Sequence, residues 1–275
     1  MIDLHTHSTA SDGTFTPREL IGKAAEEGLV ALALTDHDSL DGLNEAAIAA
    51  QSAGIRFVPG VEIEIAFGPG EFHLLGLDLR QVREPLIQAA AELALSRENR
   101  NEQVFQLLRT AGLDLDYREL REQVGEGMIG RPHIAKLLVE KRIVKSKQEA
   151  FDRYLAKGRP FFVQKACLEL PRAIEVIRDS QGLAIVAHPL SLFVSWTRMR
   201  SLMAEWKELG IDGIEAWHPT ARVVDCQRLE ALGLEYGLRI TGGSDYHGPS
   251  RPERRLGHTA GDRPIPDSYL TALDR

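Results

Sequence analysis

The sequence is short of several things. Its 275 residues include two cysteines, Cys167 and Cys226, far apart and in no CxxC pair. That argues against a disulfide framework and for reduced thiols in a cytosolic protein. No run approaches the roughly 20 apolar residues needed to cross a bilayer, so no membrane association is expected. The first residues, Met-Ile-Asp-Leu-His, show no basic start followed by an apolar core. A secretory signal is therefore not expected, and a cytoplasmic location is. Excess positive charge is missing too: 33 Lys and Arg stand against 40 Asp and Glu, for a formal charge of −7. That argues against a broad basic face gripping nucleic acid. There is no internal repeat, no low-complexity tract and no signal for a partner protein.

What is present reads as an α/β chain. Short apolar runs alternate with helical patterns. The runs are Ile2 to His5, Leu29 to Leu34, Arg56 to Ile65, Phe72 to Leu79, Leu183 to Ala187, Gly213 to Trp217 and Leu238 to Thr241. The third and fourth, separated by Gly68-Pro69-Gly70, suit a hairpin. Helical patterns follow at Pro17–Glu27, Leu43–Ala53, Pro171–Ser180, Met199–Leu209 and Arg222–Tyr236, several ending at glycine. Such alternation predicts an α/β sheet or barrel. From Glu84 to Glu169 the rhythm changes to helix after helix, with one weak strand candidate at Phe161–Val163. The expected organisation is a barrel from residues 1–83 and 170–275 with a mostly helical insertion at 84–169.

The nine histidines are not scattered. His5 and His7 close the first run, Asp36, His37 and Asp38 the second, and His188 the fifth; Asp245 and His247 follow the seventh. Glu62 and Glu64 lie in the third run and His73 in the fourth. In an extended strand, residues two apart face the same side, so His5 and His7 can address one ion. A barrel or twisted parallel sheet gathers its strand ends on one face. Imidazoles and carboxylates brought together there need cations or partners to offset desolvation. Carboxylates gathered for that purpose count towards the −7, and bound cations would reverse the sign locally, so an anionic substrate stays compatible with an acidic chain.

Taken in order, His5-Thr-His7, Ser11-Asp12-Gly13, Thr35-Asp36-His37-Asp38, Gly60-Val61-Glu62, His73, Ala187-His188-Pro189 and Gly243-Ser244-Asp245-Tyr246-His247 resemble the PHP (polymerase and histidinol phosphatase) superfamily. The resemblance implies an α/β fold, a distorted (β/α)7 barrel of PHP type with an inserted helical subdomain. Within the superfamily the chain looks like the branch of small enzymes that remove the 3′-phosphate from nucleoside 3′,5′-bisphosphates. Relatives in that branch also act as 5′→3′ exonucleases on short RNA. The implied partner is thus a small nucleotide substrate, with short RNA as a second. The rivals are a phosphatase for another monoester, such as histidinol phosphate, and a non-enzymatic metal-binding regulator.

Residue by residue, the resemblance implies two or three divalent metal ions. One set is His5, His7, Glu62 and Asp245. A second is Glu62 as a bridge with His73 and His188. A third is Asp12, His37 and His247. Asp12 stands where many superfamily members have histidine; this oxygen-richer set favours Mn²⁺, with Fe²⁺ or Zn²⁺ as alternatives. His188, His247 and Asp245 are the candidates for a catalytic role, in hydrolysis without a covalent phospho-enzyme. Arg131 and His133 resemble the stretch that caps the substrate, with Lys157, Arg159 and His258 as weaker candidates for substrate binding. Asp36 and Asp38 are expected to orient ligands. For His218, at the end of the sixth run, functional and structural roles stay equally open.

Overall fold

The structure is a computed structural model that describes residues 1–68, 70–125 and 127–274. Pro69, at the centre of the expected hairpin turn, lies outside the described residues. The chain divides into two compact units, Met1–Ala90 with Cys167–Arg275, and Ala91–Ala166.

In the first unit seven strands lie side by side in chain order: β1 (Ile2–Asp3), β2 (Ala31–Leu34), β3 (Arg56–Ile65), β4 (Phe72–Leu77), β5 (Leu183–Val186), β6 (Gly213–Trp217) and β7 (Arg239–Gly242). Neighbours pair in parallel except around β4, which is antiparallel to both β3 and β5. This reversed strand is what distorts the barrel. The ring closes just beyond β1 and β7: Thr6 bridges Tyr246, the His7 N–H donates to the Tyr246 carbonyl at 2.9 Å, and the Asp245 N–H donates to the His5 carbonyl at 2.9 Å. Helices α1 (Pro17–Glu26), α2 (Leu43–Ala53), α7 (Leu170–Asp179), α8 (Trp196–Leu209) and α9 (Val223–Glu235) intervene between strands. α1 starts where the sequence marks it. The Thr16 side chain accepts from the Glu19 N–H, and the Glu19 carboxylate accepts from the Thr16 N–H. A small pair, β8 (His258–Thr259) with β9 (Arg263–Pro264), was not foreshadowed by any apolar run.

The side-chain alternation of β2 explains the layering. Ala31 and Ala33 join Ile2, Leu4, Val58, Leu75 and Ile185 in a cluster drawn from five strands. Leu32 and Leu34 face the other way, against Leu20, Ile21 and Ala24 of α1 and Ala46 and Ala50 of α2. On β2 the small residues point into the narrow ring and the large ones into the helical layer. All four are fully buried, which is why the run reads as continuously apolar.

The second unit contains the later part of α3 (Glu84–Thr110), then α4 (Tyr117–Val124), α5 (Arg131–Glu140) and α6 (Lys147–Ala150), which runs into a π-helical turn at Phe151–Leu155. It has its own core, built on Phe105, Leu108, Leu120, Ile134, Leu138 and Phe161. Phe161–Val163 forms no strand. Its leading ring is an anchor for the helical core, and no described strand runs alongside to accept it.

Candidate metal centre

The strand ends place the site. After β2 the chain stays paired with β3: Asp38 N–H donates to the Glu62 carbonyl at 2.8 Å and Glu62 N–H to the Asp36 carbonyl at 3.2 Å. This sets His37 beside Glu62, and the two side chains meet at 2.8 Å, Nδ1 to Oε2. On β4, His73 pairs opposite Glu64, one step along from Glu62 on the same face. Its Nδ1 lies 2.8 Å from Glu62 Oε1. His188, just after β5, brings Nε2 to 3.1 Å from the same oxygen. His5 and His7, at the end of β1, bring Nε2 atoms to 3.4 and 3.3 Å from Glu62 Oε2. One buried carboxylate thus faces five imidazoles. Asp245 Oδ1 lies 3.0 Å from His7 Nε2 and 3.6 Å from His5 Nε2, and Asp12 Oδ1 lies 3.1 Å from His247 Nε2.

Three groups could each hold an ion: His7, Asp12, His37 and His247; His5, His7 and Asp245; and His37, Glu62 and His73. With His188 beside Glu62, all nine residues singled out for metal in the sequence are therefore brought together in one cluster. Several of their buried atoms have no hydrogen-bond partner: His5 Nε2, His7 Nε2, Asp12 Oδ1, Glu62 Oε2 and His247 Nε2. Buried polar atoms are costly in that state unless a cation satisfies them. The donors are nitrogen and oxygen only, which suits borderline and hard divalent ions. The residues present fit a group of divalent cations.

Surrounding contacts orient several of the rings. His247 Nδ1 sits 2.8 Å from the Asp245 carbonyl, which can only accept, so Nδ1 carries the proton and Nε2 faces the cluster with its lone pair. His5 Nδ1 lies 3.0 Å from Glu215 Oε1, and Glu215 Oε2 accepts the His188 N–H at 2.9 Å. Asp36 accepts from Ser8 N–H, Ser8 Oγ and Ser11 Oγ. It holds the loop that carries Asp12. His188, Asp38 and Asp245 all have left-handed backbones, with φ of 27°, 52° and 51°. Non-glycine residues hold such conformations where the surroundings impose them, often at functional sites.

The electrostatics follow from crowding. Burial alone would raise the Glu62 carboxyl, but His37, His73 and His5 outweigh it and hold it well below the usual carboxylate range. Burial likewise opposes, and Arg254, His5 and His247 overcome, to keep Asp245 ionised. His73 is pushed up to about 9, against burial, chiefly by Glu62. His7 goes the other way: burial and then His247 and His37 lower it well below the ordinary range. It is kept neutral, the form that ligates metal.

Residues that the sequence did not bring forward complete the site. Glu215 is 1% exposed, a lone acid in the otherwise apolar β6; a charge inside so short a buried strand was the available signal. Arg254 ion-pairs with Asp245 Oδ2, and its Nη1 donates to the Asp245 carbonyl at 2.9 Å. Its buried Nε has no hydrogen-bond partner. Arg251 lies 4.0 Å from Asp245 Oδ2 and 3.9 Å from Asp12 Oδ2. The run Arg-Pro-Glu-Arg-Arg after the last histidine motif was their only mark. His218 also joins, with Nε2 3.3 Å from Asp245 Oδ2 and Nδ1 2.8 Å from Thr220 Oγ1. A cleft of about 420 Å³ opens over this cluster.

Of the residues expected to bind substrate, four belong to the second unit. His133 Nδ1 accepts the Gly130 N–H at 3.0 Å and caps α5. The Arg131 guanidinium lies 5.5 Å from the centre of the Phe162 ring. Lys157 and Arg159 are exposed. His258, in the first unit, is buried in β8 and donates from Nδ1 to the Leu256 carbonyl. It does not line the cleft.

The profile of the PHP domain family matches residues 3–172. The chain belongs to the PHP domain family. This PHP protein is 36% identical, over 96% of its own length and 93% of the relative's, to the 3′,5′-nucleoside bisphosphate phosphatase of Chromobacterium violaceum. It is 35% identical, over 90% of each chain, to the 5′-3′ exoribonuclease of Haemophilus influenzae. A solved structure from Chromobacterium violaceum, described as an amidohydrolase with bound sulfate and no metal, superposes with a TM-score of 0.87. That pair is 31% identical and covers 98% of this chain and 96% of that one. Among the described residues, no helix is long and apolar enough to cross a membrane.

Proposed function

We propose that this PHP protein is a metal-dependent phosphoesterase that releases the 3′-phosphate of nucleoside 3′,5′-bisphosphates. The observation that carries the reading is the convergence of nine imidazole and carboxylate residues, Glu62 among them, in one cluster, with five of their buried atoms left without hydrogen bonds. Two relatives of near-full coverage hydrolyse nucleotide phosphoesters by name. The proposed ligand sets are His5, His7, Glu62 and Asp245; Glu62, His73 and His188; and Asp12, His37 and His247, with Mn²⁺ as the working ion.

Bound divalent ions would neutralise phosphate charge and lower the pKa of a coordinated water from 15.7 to about 7. The chain's own residues do the rest. Glu215 fixes His5 and the His188 backbone, so ligand atoms need no rearrangement when substrate arrives. Arg251 and Arg254 border the cleft and supply cationic hydrogen-bond donors for phosphate oxygens. His188, His247 and Asp245 are the proposed catalytic residues, acting through the ions that they would hold, and Arg131, His133, Lys157 and Arg159 are the proposed contacts to the far phosphate. Hydrolysis of short RNA from its 5′ end is the second reading, favoured by the exoribonuclease relative.

The test strips the protein with a chelator, reloads it with Mn²⁺, Fe²⁺ or Zn²⁺, and measures phosphate or nucleotide release. Substrates are adenosine 3′,5′-bisphosphate, a short 5′-phosphorylated RNA and histidinol phosphate. The bisphosphate should turn over fastest, only after metal is restored, and best with Mn²⁺. Undiminished turnover in the stripped protein, or histidinol phosphate as the fastest substrate, overturns the reading.

A further inference from the structure

Phe193 is 80% exposed. A phenyl ring left in water usually marks a mobile tip or a contact surface, yet the backbone here is held. Phe193 ends the 3₁₀ turn Pro189–Leu192 in a left-handed conformation, φ 50° and ψ 38°, which residues with a Cβ disfavour. The turn is pinned to the start of β4. Ser191 Oγ donates to the Glu71 carbonyl at 2.7 Å, and the Glu71 N–H donates back to the Ser191 carbonyl at 3.0 Å. Gly70 permits this approach, since a Cβ there would lie 2.3 Å from the Ser191 carbonyl oxygen. Ser191 Oγ also lies 2.9 Å from His188 Nδ1. The same short turn therefore orients an imidazole of the cluster at one end and presents a ring to solvent at the other.

That ring does not stand on a flat face. Phe193 and Leu190 supply apolar surface to the cleft that His188, Asp245, Arg251 and Arg254 also line. We propose that Phe193 is the platform on which the base of the substrate stacks while its phosphate faces the cluster. The inference rests on the nucleotide reading above and names the residue that would select a base-bearing phosphoester over a bare sugar phosphate. Stacking on one face tolerates any base, so it selects for the presence of a base more than for its identity.

The test compares adenosine 3′,5′-bisphosphate with its abasic analogue, 1-deoxyribose 3,5-bisphosphate, in the Mn²⁺-loaded full chain. Phe193→Ala should raise KM for the adenosine substrate about tenfold and for the abasic analogue less than twofold. Phe193→Trp should restore the adenosine KM, and Phe193→Leu should not. An equal effect of Phe193→Ala on both substrates, or none on either, overturns the platform while leaving phosphoesterase activity standing. A wild-type protein that hydrolyses neither substrate overturns the function reading and the platform with it.

Discussion

The ends of the barrel strands and the start of α5 both present histidine, and the two sets do different work. Around Glu62 the inward nitrogens of His5, His7 and His247 are buried and without hydrogen-bond partners. In the helical unit, His133 turns its Nδ1 onto the Gly130 N–H and completes a helix start that has no side-chain oxygen to cap it. Residue type alone does not separate the two. The difference lies in whether the local backbone has a need the ring can meet. At a strand end the backbone is already paired, so the ring is left for something else.

The sharpest way to break this contrast is Glu62→Ala. Loss of the carboxylate shared by five imidazoles should remove at least one bound ion and lower turnover on the order of a thousandfold or more. A metal-counted sample with full activity would end the case for a shared carboxylate. Next is Glu215→Ala, which leaves every proposed ligand in place. It should cost about 10–100-fold in metal affinity or activity, because His5 loses the partner that fixes its tautomer; Glu215→Gln, which keeps one acceptor, should fall between. Affinity matching the wild type would make Glu215 a packing residue.

Proton linkage sharpens the comparison further. His5, His37 and His73 have pKa values raised above the ordinary range, His73 to about 9. Each must lose its proton to ligate, so the affinity of stripped protein for Mn²⁺ should climb as pH rises towards about 9, by up to about tenfold per unit for each proton displaced. Calorimetric titrations between pH 6 and 9 read this directly, and a flat profile would count against imidazole ligation. On the helical side, Arg131→Ala should raise KM for the bisphosphate about tenfold with metal content unchanged. An unaltered KM removes Arg131 from the proposed substrate contacts. His133→Ala is the smallest: a loss of about 1 kcal/mol in stability, measured by denaturant unfolding, again with metal content unchanged.

Much of the barrel was legible for physical reasons. Strands buried on both faces read as continuous apolar runs, as in Ala31–Leu34, and ligand-type residues at their ends signal a shared face. Asp12 was legible only through the family pattern, because a loop aspartate beside glycine looks like any turn. The reversal of β4 was half visible: the hairpin with β3 was suggested by its glycines, whereas pairing with β5, more than 100 residues on, leaves no local trace. Phe161–Val163 misled because an aromatic run suits a buried strand and a helical core equally. Arg251, Arg254 and Glu215 were passed over because single charges ordinarily belong to the surface. Only their place beside opposite charge, with Glu215 buried there, distinguishes them.

The seam where the ring closes joins residues near position 5 to residues near 245, and the proposed first ligand set straddles it. Ion capture and barrel closure are then one event. A nascent chain that has emerged only as far as β6 already carries His5, His7, Glu62, His73 and His188, yet lacks both Asp245 and His247. No copy that stops short of His247 can hold the whole cluster, and the proposed site is complete only when the chain beyond β7 is laid against the chain beyond β1.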